Sequence, residues 1–407
     1  MSQRFLSFHA HLREIGLIGK EAVHFGGPDD VLLYSGGPQS HLAQYSMLCG
    51  PSRKRVLVRQ PSQRDVSPAQ QHSPLKGEVR LVKEKSPFVA QVEEWKHGCW
   101  YHLTSIFANS LPELLEKLHS HTPKQFFETS PDLSLPQRPF WSGALAYDMV
   151  QWTRPLQLQH LPDEGELLVI LWLVERMVIH EKSTDLIQCY GLKDDRWCQE
   201  VSQYSEHDSV LQTLAEPSAS LETSSMTDDQ HEQAIEAIRE SIRKGQMYQV
   251  NVGRWWNGKI LEHPRRIFQR LNEANPAPFS GYLEAPDLGF SLVCSSPESL
   301  LKSDGESIFT SPIKGTRPRG SHPEQENELR NEMIHDEKER SEHRMLVDLM
   351  RNDISAVSEV GSVQVERFDV EAYAQVQHLV SHISGVLKED SSGLDALQAV
   401  FPGGSIT

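Results

Sequence analysis

The chain reads as a mixed α/β protein in two halves. Strand-like apolar runs recur from Val31 to Val386, helical periodicity returns in only a few stretches, and a polar, serine-rich segment lies between the halves. We place an N-terminal region over residues 1–205, a linker over 206–226 and a second region over 227–407. A length of 407 residues suits two domains or one interwoven one, and 38% hydrophobic residues can supply its core. With 40 Lys and Arg against 56 Asp and Glu, the net charge is −16, which excludes a non-specific nucleic-acid binder but leaves room for a local cationic pocket. Five cysteines are scattered with no CxxC pair, as in a reducing cytosol, and argue against a zinc or disulfide framework. The chain does not open on a signal-like segment, and no apolar run reaches the ~18 residues of a membrane span, so the expected location is the cytoplasm.

In order, Val31 to Gly37 (VLLYSGG) predicts a strand, at the sheet edge, ending in a glycine turn. Residues 60–78 predict an exposed loop, and Leu111 to His119 a short amphipathic helix. Leu167 to Ile179 is strongly apolar but interrupted by Glu175 and Arg176; with Leu186 to Tyr190 it predicts paired strands. Thr227 or Asp228 caps a helix carrying Ala234, Ile235, Ile238 and Ile242, which Gly245 stops. Tyr248, Val250 and Val252 then alternate with Gln249 and Asn251, the pattern of a strand. Further strands are expected over Phe279–Glu284, Phe290–Cys294, Ser307–Thr310 and Val376–Val386. A charged helical region, open to a break, runs from Pro323 to Met350, with capping-box spacing between Ser321 and Glu324.

The chemistry concentrates after Ser307. Ser311 to Gly320 (SPIKGTRPRG) follows a strand-like run; Pro312 fixes its own φ, and Gly315 allows a positive φ or a close approach. Between them stands Lys314, followed by the hydroxyl of Thr316. A lysine shielded by apolar neighbours can lose its proton and act as a nucleophile, but the residues alone also allow a surface lysine in a tight turn. Glu339 and Glu342, three apart, share one helix face; such a pair suits either a solvated face or Mg²⁺, which takes a few carboxylates plus waters and substrate oxygens. His378 lies in a strand-like run, where a histidine serves the core or proton transfer. Gly403, Gly404 and Ser405 offer backbone N–H groups to a carboxylate.

These motifs, in this order, resemble the chorismate-utilising enzymes: the large subunits of anthranilate synthase and aminodeoxychorismate synthase, and the isochorismate and salicylate synthases. The resemblance rests on PIKGTRPRG, Tyr248 to Asn251 (YQVN), Ser296 to Glu298 (SPE), Asp336 to His343 (DEKERSEH), Asp348 to Asp353 (DLMRND), His378 to Ser381 (HLVS) and Phe401 to Thr407 (FPGGSIT), and is weaker over the first 200 residues. It implies an interwoven α/β sandwich of large, mainly antiparallel sheets with outer helices. It implies Mg²⁺ held by Glu342, with Glu339 as a partner, and a substrate site touching Gln249, Gly315, Gly403, Gly404 and Ser405. His378 and Thr316 would serve the leaving C4 hydroxyl. Lys314 points to the aminodeoxychorismate branch, where it attacks C2 and ammonia then displaces it at C4. The implied partners are a glutamine amidotransferase that supplies ammonia and a downstream aminodeoxychorismate lyase.

Two positions refine that expectation. Relatives that use water carry a lysine where this chain has Gln249, and an amide is no base at neutral pH, which favours ammonia. Tyr34 stands where the anthranilate branch has a glutamate that helps bind tryptophan. The wording DEKERSEH leans toward the anthranilate branch, so anthranilate synthesis is the alternative, and a non-catalytic homologue a third. Arg351-Asn352-Asp353-Ile354 continues with Ser355-Ala356 where the family has Gly-Arg. FPGGSIT matches only the start of the family's longer FPGGSITGAPK, so a further segment with a second metal carboxylate is expected to complete the site, and this chain to be inactive without it.

Overall fold

Runs rich in Val, Ile, Leu and aromatic residues become strands, and the charged, periodic stretches become helices. The structure, a computed structural model, describes residues 28–37, 42–62, 87–127, 136, 138–154, 158, 160–184, 186–202, 219–247 and 250–404. The first half contains β1 (Asp30–Tyr34), β2 (Tyr45–Cys49), β3 (Lys54–Arg59), β4 (Phe88–Lys96), β5 (Cys99–Ala108), α1 (Leu111–Ser120), β6 (Phe140–Leu145), a 3-10 turn (Tyr147–Trp152), β7 (Leu167–Val174), β8 (Arg176–Glu181), β9 (Leu186–Gly191) and α2 (Arg196–Ser202). The second contains β10 (Ala219–Ser224), α3 (Asp228–Arg243), β11 (Trp256–Ile260), α4 (Pro264–Ala274), β12 (Phe279–Ala285), a 3-10 turn (Pro286–Leu288), β13 (Phe290–Ser296), β14 (Ser299–Ser303), β15 (Ser307–Ser311) and β16 (Ile313–Pro318). It closes with α5 (Pro323–His335), α6 (Glu337–Ser355), β17 (Gln364–Ala372), β18 (Val376–Val386) and α7 (Gly393–Val400).

Three large antiparallel sheets result. The first has the order β13-β12-β1-β2-β8-β9, and the second β5-β4-β3-β7-β6. The third is built on β18: β15 pairs with its second half, β16 with its first half, and β17 along the opposite edge. Sheet one draws β1, β2, β8 and β9 from before residue 206 and β12 and β13 from after 226, so the two halves are interwoven. Sheets one and two bury a shared core that includes Val31, Leu57, Ile170, Trp172 and Leu283. Against sheet three, α6 and α7 bury Leu346, Met350, Ile354, Ala396 and Val400 over Ile308 and Ile383.

Several expectations are corrected. The Val31–Gly37 strand is no edge: β1 lies between β12 and β2, because both its neighbours offer complementary apolar faces. The apolar run from Leu167 splits at Glu175, and its two parts, β7 and β8, enter different sheets; only β8 pairs with β9. Part of the expected linker, Ala219–Ser224, is strand β10, which pairs with β11. The strand expected at Tyr248–Val252 is absent from residues 250–252, and the pairing segment is Trp256–Ile260; Tyr248 and Gln249 lie outside the described residues. The cap of α5 is His322, which accepts from the Gln325 N–H, while the Ser321 hydroxyl donates to the Gln325 side chain. The helical region does break, at Asp336, which ends α5 and caps α6 by accepting from the Lys338 and Glu339 N–H groups. Thr227 and Gln230 form the capping box of α3, and Gly245 follows it at φ +70°.

Candidate functional site

The candidate site forms where β16 runs along β18. β15 and β16 are one strand direction interrupted at Pro312, which offers no N–H to the ladder; the Pro312 carbonyl accepts from the Ser381 N–H at 3.2 Å. Two residues later the register slips. Lys314 faces Leu379 and Thr316 faces His378, so Gly315 is an extra residue, a bulge, at φ +70°. Facing residues share a side of the sheet, and adjacent ones alternate. The slip therefore sends Lys314 to the Leu379 side, packed by Met333 of α5, and Thr316 to the His378 side. Lys314, Thr316 and His378 come together at one bulge, but they leave it on two sides.

On the helix side, α6 lays its first turns over the bulge. A Cβ on Gly315 would stand 3.2 Å from Glu339 Oε2 and 3.3 Å from Met333 Sδ, so glycine is what lets the carboxylate come down onto the strand. Arg317 binds this junction: its guanidinium reaches Asp336 at 3.0 Å, Glu339 at 3.4 Å and Glu332 at 3.4 Å. His343, one turn on, is fully buried, with Nε2 2.8 Å from Ser381 Oγ. Burial, and then the Lys314 ammonium, push its pKa down to about 4, so it is neutral beside that lysine.

On the other side, His378 Nδ1 lies 3.1 Å from both the Gly315 carbonyl and Thr316 Oγ1. A carbonyl only accepts, so Nδ1 carries the proton and Nε2 keeps the lone pair. Burial holds the His378 pKa below its ordinary value against the pull of the Gly315 carbonyl. A neutral ring in this tautomer accepts at Nε2. The Tyr373 ring meets it edge-on at 5.1 Å.

Glu342 shares the Glu339 face of α6 and is half-exposed, with Lys338 at 3.8 Å. Among the described residues, no three His, Cys, Asp or Glu side chains converge into a metal cage. Two carboxylates on one helix face still match Mg²⁺, whose shell is completed by waters and substrate oxygens; the donor set fits an open site rather than an enclosed one. Gly404 packs on α6 one to two turns beyond Glu342, where a Cβ would stand 2.4 Å from Leu349 Cδ2, and Gly403 is buried beside it. Ser405 and Gln249 lie outside the described residues. His343, Arg317 and Tyr373 had no role in the sequence reading; the nearest signals were His343 and Arg317 inside quoted motifs and Ser381 closing HLVS.

A family profile described as chorismate binding enzyme matches residues 88–407. The aminodeoxychorismate synthase component 1 of Bacillus subtilis is 39% identical over 238 residues, 58% of this chain and 49% of the relative. The anthranilate synthase component 1 of Aquifex aeolicus is 30% identical over 367 residues, 80% of this chain and 74% of the relative. A Haloarcula marismortui anthranilate synthase component 1 is 47% identical over 174 residues, 42% of this chain and 35% of the relative. The chain thus spans about half or less of the length of two of these three relatives. In fold it is similar to the crystal structure of anthranilate synthase component I from Streptococcus pneumoniae, with a TM-score of 0.60 and 22% identity over 86% of this chain and 80% of that one. With the profile covering most of its length, the chain belongs to the chorismate binding enzyme family.

Proposed function

We propose that this chain adds ammonia to chorismate in the manner of an aminodeoxychorismate synthase component 1. The observation that carries the reading is the placement of Lys314 at the Gly315 bulge, beside the buried neutral His343 and astride the Thr316–His378 pair. A ring lying across the open edge of β16 meets the lysine amine on one side and the threonine hydroxyl on the other. Lys314, its amine first freed of its proton, bonds through nitrogen to C2 while the C4–O bond breaks, and the departing hydroxyl takes up the proton that the new C2–N bond releases and leaves as water. Thr316 donates to the departing oxygen, and His378, whose N–H is committed to the Gly315 carbonyl, fixes the threonine. Ammonia then bonds to C4, the C2–N bond to Lys314 breaks, and the enolpyruvyl side chain stays on the ring.

Glu342, with Glu339, would hold Mg²⁺, which neutralises carboxylate charge on the substrate when bound. Gly403 and Gly404 would line the side of the site that takes the other carboxylate. Ammonia is taken from a glutamine amidotransferase partner, and a separate lyase processes the product. A second reading, anthranilate synthesis, is favoured by relatives of that name at up to 47% identity; in it ammonia adds at C2 and pyruvate is lost in the same site.

The test is to incubate the chain, joined to the further segment that the longer family motif leads into, with chorismate, an ammonium salt and Mg²⁺, and to identify products by mass. The expected product keeps the enolpyruvyl group, and a covalent adduct maps to Lys314 and disappears in Lys314→Ala. Pyruvate release with anthranilate formation would decide for the second reading. A stable adduct on another residue removes Lys314 from its role.

A further inference from the structure

The face of sheet three that carries His378 carries a second polar constellation that the chemistry above does not use. His382 lies four residues along β18 from His378 and shares its face. Ser311, the last residue of β15, stands beside it, with Oγ 2.9 Å from His382 Nδ1. The other ring nitrogen, Nε2, lies 3.1 Å from Glu371 Oε1 on β17. The Tyr373 hydroxyl donates to the second oxygen of Glu371 at 3.4 Å.

The proton positions follow from the chemistry of the partners. A carboxylate only accepts, so Nε2 carries the imidazole proton. The lone pair of the neutral ring is then on Nδ1, directed at the Ser311 hydroxyl, which donates to it. All three groups sit on neighbouring strands of one sheet, the rigid support that a pre-organised site needs. They are also largely withdrawn from water: Ser311 is 8% exposed, and the side chains of His382 and Glu371 are 17% and 13% exposed. Hydroxyl, imidazole and carboxylate in that order, each within hydrogen-bond reach, is the arrangement by which a serine is activated, recognised by geometry rather than by sequence position.

We infer that Ser311 is an activated nucleophile toward acyl esters and related phosphoryl groups, with His382 as its base and Glu371 as the group that orients the imidazole. Ser311 Oγ bonds to the acyl carbon while its proton passes to His382 Nδ1. The ester C–O bond breaks, and the leaving alcohol takes that proton. Water then repeats the sequence on the acyl-serine, releasing the carboxylic acid and restoring Ser311. Glu371 stays ionised throughout.

The test treats the whole chain with diisopropyl fluorophosphate, in which Ser311 Oγ would displace fluoride, and maps the adduct by peptide mass. One adduct is expected on Ser311, absent in Ser311→Ala and formed about 100-fold more slowly or less in His382→Gln. Glu371→Gln keeps the side-chain shape and is expected to slow labelling about tenfold or more, so a His382 variant that fails to fold does not shelter the idea. No adduct on Ser311 in the folded chain, or a labelling rate indifferent to both His382→Gln and Glu371→Gln, would show that the three residues only tie β15, β18 and β17 together.

Discussion

Among single residues, His343 shows how burial sets chemistry. It is fully buried, bonds to Ser381 at 2.8 Å and has its pKa pushed down to about 4 by desolvation and then by Lys314. Its folded pKa lies below the unfolded one, so the unfolded chain takes up the proton first. The associated stability is full above about pH 6.5 and is lost as pH falls toward 4. The loss is expected to be roughly 3 kcal/mol. Urea midpoints followed from neutral pH down through this window should fall, and His343→Gln should lack that part of the slope. Asp29 acts with the opposite sign over an overlapping range: burial raises its pKa to about 6, so its contribution weakens as pH rises from about 4 through 6. Comparison with His343→Gln cancels this second effect, since Asp29 is common to both chains. An unchanged slope in the variant would mean that His343 is already solvated in the folded chain.

At the scale of elements, the bulge on β16 does more than bend a strand. By absorbing one residue, it turns Lys314 toward α5 and α6 and leaves Thr316 with His378. Gly315 meets two demands at once, a φ of +70° and a carboxylate over its Cα. An alanine there would occupy the left-handed region, at a cost of about 1–2 kcal/mol, and press on Glu339 Oε2 and Met333 Sδ, which are ends of flexible side chains. Gly315→Ala is therefore expected to fold with a modestly lower midpoint and to lose the Lys314 adduct almost entirely. Denaturant melts and intact-mass analysis read the two effects separately; an adduct formed at the unaltered rate would show that the bulge geometry does not govern Lys314. The junction at Asp336 works similarly, since one carboxylate caps α6 and also receives Arg317 from β16 at 3.0 Å.

For the whole molecule, one buried cation helps hold two sheets together. Arg55 on β3 is 1% exposed and contacts Asp29 ahead of β1 at 3.1 Å, Glu93 on β4 at 2.7 Å and Asp287 after β12 in a two-pronged pair at 2.7 and 2.5 Å. Trp100 stacks on its guanidinium at 4.3 Å, and the Trp172 N–H donates to Asp29 at 2.6 Å. Removing the cation would leave buried carboxylates without their charge partner, which typically costs 3–5 kcal/mol. Arg55→Ala is expected to lose about that much at neutral pH and less near pH 5, where Asp29 takes up a proton. Urea melts at the two pH values check both the size and the sign; a deficit that grows on acidification would show that Asp29 is not the group left exposed.

Whatever local rules govern was legible along the chain. Thr227 or Asp228 marked the start of α3, where Thr227 is the cap, and Gly245 its stop, because capping involves only neighbours along the chain. Val376–Val386 appeared as the strand it is, and Lys314, Gly315, Thr316, Glu339 and His378 could be chosen from motifs before any of them had a position in space. The tertiary structure decided everything that depends on register and sheet membership. The apolar run from Leu167 gave no sign that Glu175 sends its two parts to different sheets, since both parts are equally apolar. The serine-rich stretch before residue 226 looked like a linker because β10 gains its partner only from residues 256–260. Nor could spacing show that Ser311, His382 and Glu371 meet, because they stand on three strands and come within hydrogen-bond reach only when β18 pairs on both edges. A strand's faces follow from its own sequence; which residues share a face across a sheet follows from pairing, and a one-residue bulge is enough to reassign them.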